Sequence, residues 1–407
     1  MNMPKQSVIR SFIYLVVAFS TIFSFGCGRS GESVSLKLKN CNSDFSRVFQ
    51  PTDTVIFRAV YPDTDKVIDV FKVVRMPSGE YLVLDVVSSA IYRTAEDGRI
   101  IKKILSRGRG PGQLMAVADF TIGLKGHLYA IDPLMNKVAE FDSAGNFIRF
   151  YQLPYSMRAP VTINWTGKSF VVSDYNNLES GSAPKNYKFL EHKDVTFLSL
   201  FDTNFVLQST FLHPLRQLWE TGDALFLPEG VFVPVTLSKN MIIAATQEGF
   251  YWLDVFNYSG NLIRKYHIKS PMFSELSEAA IGELKRQSGL PPMQKLGQIR
   301  ASYSSPSRIM STGDLFVVKV VDPYDNYYPQ YSEVLVKTFH YDIFRLYPDG
   351  SVSPVCGGLK SDLDVVGASS DRNEFYFTKS YMPAKLSELN NKIFIMKVND
   401  TADIANN

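Results

Sequence analysis

The glycine-rich stretch SRGRGPGQL, residues 106–114, is the first candidate for chemistry in this sequence. Successive backbone N–H groups in such loops can bind phosphate. The spacing matches neither common phosphate pattern, since no Gly-x-x-x-x-Gly-Lys-Ser/Thr occurs and Gly-x-Gly-Pro-Gly differs from Gly-x-Gly-x-x-Gly. We therefore predict a structural turn, in which Gly108, Gly110 and Gly112 adopt conformations closed to other residues and Pro111 restricts one dihedral angle.

Three aspartates could supply acid–base groups or metal ligands. Asp85, Asp132 and Asp174 each follow a short apolar run of the kind that forms a strand. Because they recur at one place in successive segments, we favour a shared local role. A carboxylate at such a place can accept backbone N–H groups and order the turn that follows.

Known catalytic motifs are absent from the sequence. It contains no His-Glu-x-x-His, no Gly-x-Ser-x-Gly and no Cys/His cluster, and its five histidines are scattered. A catalytic site assembled from distant segments would leave no motif, so an enzyme stays an alternative. No cofactor and no metal ligands are identified; a divalent metal in a central channel belongs to that alternative.

The N-terminus predicts export. Lys5 and Arg10 precede an apolar run from Ser11 to Phe25, which is shorter than the ~20 residues of a membrane span. We predict a signal peptide over residues 1–26. The sequence around its end, Ser-Phe-Gly-Cys, resembles a bacterial lipobox, and this resemblance implies that Cys27 carries lipid; an ordinary cleaved signal is the alternative.

The predicted mature chain is almost neutral. Removal of residues 1–26 leaves 41 of the 43 Lys and Arg against 40 Asp and Glu, which gives no electrostatic reason to expect nucleic-acid binding. We predict a lipoprotein of the cell envelope, held in the outer membrane and facing the periplasm or the exterior, with residues 27–52 as tether and linker. In that oxidising compartment Cys41 and Cys356 can form a disulfide, although spacing alone does not decide it.

Beyond residue 53 the sequence repeats. Short runs rich in Val, Ile, Phe and Tyr alternate with turn residues, as in strands and hairpins. The clearest unit, residues 117–153, predicts four strands, and residues 67–105 show the same order. Four strands in about 40 to 50 residues are typical of a β-propeller blade.

Six such blades can be counted over residues 53–407, but the last one lacks its fourth strand. We predict that the leftover run from Asp53 to Val60 supplies that strand and closes the ring, which protects edges that would otherwise stay open. The predicted fold class is therefore all-β: a six-bladed β-propeller of four-stranded blades, closed by an N-terminal strand and acting as a monomer.

A family resemblance agrees with this count. The stretches GRGPGQL, LYAID and NKVAEFDSAGNFI closely resemble an NHL repeat, and the whole chain resembles the six-bladed propeller lipoproteins of Bacteroides-type bacteria. The resemblance implies the propeller fold. Across NHL proteins the functions range over protein binding, RNA binding and lyase chemistry, so the resemblance alone does not select one.

The long insertions share one face of the predicted propeller, which we call the long-loop face. Connections between second and third strands, and those between blades, lie on this face because the strands are antiparallel. The insertions are residues 175–195, 213–230, 269–302, 323–332 and 381–391. Residues 269–302 predict a helical insertion. A rigid scaffold with its long loops on one side generally binds there.

We therefore predict that the long-loop face binds a protein, peptide or glycan. Its candidate contact residues are aromatic and cationic: Tyr324, Tyr327, Tyr328 and Tyr331, with Arg107, Arg109 and Arg158. Two alternatives stay open. One is a lyase or hydrolase with a metal site at the central channel, and the other is a structural protein of the envelope.

Overall fold

A computed structural model describes most of the chain between residues 33 and 399. The described residues are 33–41, 44–59, 66–154, 157, 160–174, 198–212, 233–246, 250–277, 279, 304–321, 339–379 and 390–399. Within these ranges, no helix has both the length and the apolar character needed to cross a membrane.

The N-terminal segment precedes six antiparallel sheets. It contains β1 (Val34–Lys37), the one-turn helix α1 (Phe45–Val48) and β2 (Phe49–Ile56). Blade 1 contains β3 (Val70–Arg75), β4 (Tyr81–Asp85), β5 (Ala90–Thr94) and β6 (Ile100–Arg107), followed by the short β7 (Gln113–Leu114). Blade 2 contains β8 (Asp119–Ile122), a 3-10 turn (Leu124–Gly126), β9 (Leu128–Asp132), β10 (Lys137–Phe141) and β11 (Phe147–Gln152).

The remaining blades follow the same order. Blade 3 contains β12 (Pro160–Trp165), β13 (Phe170–Asp174), β14 (Leu198–Phe201) and β15 (Leu207–Phe211). Blade 4 contains β16 (Val235–Ser238), β17 (Met241–Thr246), β18 (Trp252–Asn257) and β19 (Leu262–Lys269). Blade 5 contains β20 (Ser305–Thr312), β21 (Leu315–Val321), β22 (Phe339–Leu346) and β23 (Val352–Ser361). Blade 6 contains β24 (Leu363–Ser369), β25 (Glu374–Lys379) and β26 (Lys392–Val398).

The predicted ring closure is confirmed, with a shift along the chain. β2 pairs antiparallel with β26 and supplies the fourth strand of blade 6, so the fold is a six-bladed β-propeller. The strand spans Phe49–Ile56 rather than Asp53 to Val60. The earlier start has a packing reason, because Phe49 is fully buried against Phe375 and Phe377 of blade 6.

Among the described residues, the core consists of six hydrophobic clusters, one between each pair of adjacent blades. The second and third strands of each blade supply most of the buried side chains, which is why runs such as YLVLD and LYAID are apolar up to their final aspartate. The cluster between blades 6 and 1 joins the two ends of the propeller sequence. Each blade is therefore stabilised by both neighbours, and the ring closes through apolar packing as well as through β2.

Four of the hairpin turns between third and fourth strands use glycine for two physical reasons. Gly98, Gly145, Gly260 and Gly350 have φ between 77° and 84°, a region that favours glycine. Each also lies against the outer strand of the preceding blade. A Cβ on Gly145, Gly260 or Gly350 would approach a side-chain carbon of that strand to 2.9 Å.

Blade 3 departs from this pattern. Its turn contains no glycine, and Phe205 adopts a positive φ of 58°, the conformation that glycine takes in the other four turns. The Phe205 ring lies 4.7 Å from the Tyr151 ring on the outer strand of blade 2 and 4.5 Å from Phe170. A buried aromatic ring therefore makes the contact between blades that a glycine backbone makes elsewhere.

Part of the predicted tether packs on the propeller. We call residues 33–41 and 44–59 the N-terminal strap. β1 pairs in parallel with β19 as a fifth strand of blade 4, and a disulfide joins Cys41 to Cys356 of blade 5. Because β2 then enters blade 6, the strap connects the outer edges of three successive blades.

Glu140 is the most heavily hydrogen-bonded buried carboxylate of blade 2. It lies within 2.8 to 2.9 Å of the His127 Nδ1, Arg149 Nε, Tyr129 hydroxyl and Tyr151 hydroxyl atoms. Burial opposes its ionisation, but these groups outweigh burial and lower the pKa of Glu140 to about 2. Burial and the adjacent carboxylate raise the pKa of Tyr151 to about 12.

We expect Glu140→Gln to destabilise the protein by about 2 kcal/mol at neutral pH. This free energy is smaller than the change in pKa alone implies, because Arg149 is partly exposed and solvent screens its charge. The folded pKa lies below the ordinary value of 4.5. The stabilisation is therefore complete above about pH 4.5 and is lost as the pH falls toward 2. Urea unfolding at pH 6 and pH 3 measures this, and the gap between wild type and variant should narrow at pH 3. A gap of equal size at both pH values would contradict it, and the exposed Asp362→Asn serves as control.

Candidate functional site

The inner strands of all six blades enclose a central channel of about 590 Å³. Its walls are mainly apolar and come from β3, β8, β12, β16, β20 and β24, with Val86, Ala118 and Pro234 at their margins. Val86 lies in the β4–β5 turn, and Ala118 and Pro234 directly precede β8 and β16. These three positions belong to the long-loop face, so the channel reaches that face.

A partly buried ion pair links the first three inner strands. Lys72 Nζ on β3 lies 2.6 Å from Asp119 Oδ1 on β8 and donates to the carbonyl of Phe120 at 2.8 Å. The other carboxylate oxygen of Asp119 accepts the backbone N–H of Ile163 on β12 at 2.9 Å. Both charges of this pair are therefore engaged in joining blades 1, 2 and 3.

Arg308 joins the opposite side of the channel. From β20 its Nη1 donates to the carbonyl of Val365 at 2.7 Å and to that of Phe71 at 3.2 Å, so one side chain connects blades 5, 6 and 1. Its guanidinium also lies 4.4 Å from the centre of the Phe71 ring. Burial opposes ionisation of the neighbouring Asp364, yet Lys319 and Arg308 hold the pKa of Asp364 below its ordinary value.

Asn164 on β12 differs from these charged residues in its hydrogen bonding. It lines the channel, and among the described residues its side-chain amide has no hydrogen-bond partner within the protein. An amide both donates and accepts, so Asn164 offers a hydrogen bond to a molecule in the channel without breaking a contact of the fold. Blade 4 adds an uncharged wall through Val235 and Thr236.

These features define what the channel can do chemically. Ligand sites typically combine about 300–1,000 Å³ of mainly apolar space with a few polar groups that fix orientation. The channel has both properties. In the described part of the chain, no three His, Cys, Asp or Glu side chains come together in a group able to hold a metal ion.

The repeated aspartates hold turns rather than converging on one site. Asp85 Oδ1 accepts the N–H groups of Val87 and Ser88, and its Oδ2 accepts that of Ile68. Asp132 repeats this geometry with Leu134, Met135 and Met115. Each carboxylate therefore ties the turn after the second strand to the start of the inner strand in its own blade. Asp174 ends β13 at the equivalent place.

The glycine-rich loop is closed by its own contacts. The Gln113 side chain accepts the N–H of Gly110 at 3.0 Å, and a Cβ on Gly108 would overlap with the same amide oxygen. Gly112 has φ 70° and packs against Phe147. Arg107 and Arg109 are exposed on this loop, at the long-loop face.

Several predicted site residues lie outside the described ranges. They are Cys27, Arg158, Tyr324, Tyr327, Tyr328 and Tyr331, together with the signal peptide and most of the helical insertion. Of that insertion, the structure describes residues 269–277 and 279. In this described part, Leu276 is buried.

The sequence interpretation did not identify the channel residues Lys72, Asp119, Asn164 and Arg308. The sequence offers a weak signal for one of them, because Lys72 lies between apolar residues of the inner strand VFKVVR. That signal shows only that a charge is unusual there. Its partner lies on another blade, which no local pattern reveals.

Comparisons with known proteins agree with this architecture. A family model described as a 6-bladed beta-propeller (DUF5128) matches residues 63–207. A candidate exported protein of Bacteroides fragilis has a TM-score of 0.58 at 13% identity, covering 90% of this chain and 99% of its own. A DUF4221 family member from Bacteroides vulgatus has a TM-score of 0.57 at 11% identity, covering 86% of this chain and 97% of its own.

A weaker structural similarity involves a lyase. An inactive variant of virginiamycin B lyase from Staphylococcus aureus has a TM-score of 0.46 at 13% identity, covering 83% of this chain and 84% of its own. No curated protein sequence matches this chain. At such identities the structural similarities establish the fold alone.

Proposed function

We propose that this protein is an exported, lipid-anchored and monomeric β-propeller that binds a protein, peptide or glycan at its long-loop face. A side chain or sugar of that ligand enters the central channel. The single observation that carries the proposal is the channel itself: about 590 Å³ of mainly apolar space that reaches the long-loop face and contains the Asn164 amide, which has no hydrogen-bond partner among the described residues.

Three observations support export and anchoring. The first 26 residues have the composition of a signal peptide, and Cys27 follows a lipobox-like sequence. The disulfide between Cys41 and Cys356 suits an oxidising compartment. The resemblance to NHL-repeat lipoproteins of Bacteroides-type bacteria agrees with both, and one of the similar structures is itself a candidate exported protein.

The charged groups of the channel are already engaged within the protein, so the uncharged part of the wall is the part available to a ligand. Lys72, Asp119 and Arg308 already join inner strands of different blades, so a ligand that displaced them would weaken the fold. Asn164, Val161 and Thr236 are uncharged. A neutral or weakly polar group therefore fits the channel better than a strongly charged one.

Screening of the purified chain on a peptide array and on an oligosaccharide array tests the proposal. For any probe that binds, we expect Asn164→Leu to weaken affinity about 10-fold, because a hydrogen bond in a buried site is lost. Val161→Trp should weaken it at least as much by filling the channel. Val161→Ile changes the wall by one methylene, so it serves as control and should bind within about twofold of wild type.

Two outcomes would count against the proposal. Absence of binding to every probe on both arrays would oppose the binding function. Undiminished binding by a folded Val161→Trp variant would place the ligand outside the channel. Thermal unfolding of each variant shows whether it is folded.

A further inference from the structure

The long-loop face of blades 1 and 2 carries exposed apolar side chains. Leu134 is 69% exposed, which is the largest fraction of any large apolar side chain in the described ranges, and Val87 is 46% exposed. Both lie in turns that join a second strand to a third, and Met135 follows Leu134 in its turn. Aspartate oxygens hold the backbone of these turns. The apolar side chains are therefore not needed for the turns themselves.

Two exposed arginines, Arg107 and Arg109, lie between these turns. Arg107 ends β6, and the β5–β6 pairing brings the β4–β5 turn alongside it. On its other side, Arg107 lies opposite Leu114 of β7. The next residue, Met115, donates its N–H to Asp132 at 2.7 Å, and Asp132 in turn holds the β9–β10 turn. We call this surface the blade 1–2 patch, and its residues are Val87, Arg107, Arg109, Leu134 and Met135.

The patch is cationic. In the described part of the chain, neither Arg107 nor Arg109 has a carboxylate within ion-pair distance. The carboxylates on the same side of blades 1 and 2 accept hydrogen bonds within the protein and are not exposed; they are Asp69, Asp85, Asp119 and Asp132. A guanidinium binds a carboxylate through two parallel hydrogen bonds. The charge of the patch is therefore complemented by an acidic ligand.

The patch adjoins the central channel. Val86, directly before Val87, lines the channel wall. Ala118 also lines it and donates its N–H to the carbonyl of Ile131, which directly precedes Asp132. The channel wall is mainly apolar, so a ligand held on the patch can place an uncharged side chain in the channel.

We propose that the blade 1–2 patch selects peptides that combine acidic and aliphatic residues. This inference rests on the proposed binding at the long-loop face and names the ligand class within it. Peptide carboxylates bind Arg107 and Arg109. Aliphatic side chains of the same peptide pack on Val87, Leu134 and Met135, and the flexible Met side chain adapts to their shape. A neutral glycan has no charge for the arginines, and an acidic one has no aliphatic side chains.

An array of short peptides tests this selection. One set contains Leu and Val with Glu, and a second set contains Lys at every Glu position. We expect the purified wild-type protein to bind peptides of the Glu set, with an affinity that falls as salt is added, and not those of the Lys set. For the strongest Glu peptide, Arg107→Gln with Arg109→Gln should weaken binding about 10-fold and remove most of the salt dependence.

Matched variants on the opposite face are the controls. Lys125 and Lys168 are exposed in turns between first and second strands, so Lys125→Gln with Lys168→Gln removes the same net charge there. This variant should bind within about twofold of wild type. Leu134→Ser should weaken binding about fivefold without changing its salt dependence. Its control is Leu124→Ser, because Leu124 is also exposed and lies on that opposite face.

Three outcomes would overturn the inference and leave the proposed binding function in place. They are equal binding of the Glu and Lys sets, equal losses in the arginine and lysine variants, and tighter binding of polygalacturonate, an acidic glycan, than of any peptide. Absence of binding to every peptide and oligosaccharide would overturn both. A change in binding counts only for a variant whose thermal unfolding matches that of wild type.

Discussion

Deletion of β2, residues 49–56, is expected to make the purified protein aggregate. Without β2 the strand β26 loses its outer antiparallel partner over its whole length and stays paired with β25 alone. The exposed edge can then pair with other chains. The deletion also removes Phe49 and Val55, which are buried in the clusters on the two sides of blade 6. The loss therefore opens the ring at one edge and exposes apolar surface at the same time.

Size-exclusion chromatography with light scattering measures this outcome. A chain that begins at residue 38 is the matched control, since it lacks β1 but keeps β2 and the disulfide. We expect that control to stay soluble, because β1 is a fifth strand outside a complete four-stranded blade. A soluble, non-aggregating β2 deletion would show that ring closure does not depend on this strand.

Single substitutions in β2 measure how much its buried side chains contribute to the free energy of unfolding. Phe49→Ala should lower the free energy of unfolding by about 3–5 kcal/mol, since a fully buried ring leaves a cavity. Ile56 lies on the same strand but is 49% exposed, so Ile56→Ala should change stability by less than about 1 kcal/mol. Urea unfolding of both variants measures the difference, and equal losses would contradict the packing argument.

Removal of the disulfide is expected to lower the free energy of unfolding by about 2–4 kcal/mol. Cys41 and Cys356 are separated by 315 residues, so the bond restricts a very large loop of the unfolded chain. It also fixes the strap against blade 5 between β1 and β2. The urea midpoint of the wild type should fall when a reductant is added.

The Cys41→Ser, Cys356→Ser variant separates the disulfide from other effects of reductant. Its midpoint should match that of the reduced wild type and should not move when reductant is added. An unchanged wild-type midpoint on reduction would mean that the strap is held by packing and backbone pairing alone.

The blades were predictable because their signals are local. In blade 2 the sequence predicted four strands within residues 117–153, and the structure has four, β8 to β11, between Asp119 and Gln152. Turn residues also indicate where the hairpins lie, because Gly98 and Gly145 occupy positions that need a positive φ. Phe205 shows the limit of that rule, because packing against Tyr151 replaces glycine there.

The candidate site was not predictable in the same way. Arg308 donates to the carbonyl of Phe71, which lies 237 residues away in sequence. Nothing near either residue indicates this contact. The sequence placed function on the long loops because their lengths are visible, whereas the channel arises only when six inner strands surround one axis.

By itself, therefore, the sequence determined the repeating four-stranded unit, the number of blades and the need for an N-terminal strand to complete the last one. These follow from apolar periodicity and turn residues, which act within about 50 residues. The tertiary structure alone decided where that strand begins, that β1 covers blade 4, and which side chains meet in the channel. The physical reason is that burial and ion pairing depend on neighbours in space, and in a closed ring those neighbours come from different blades.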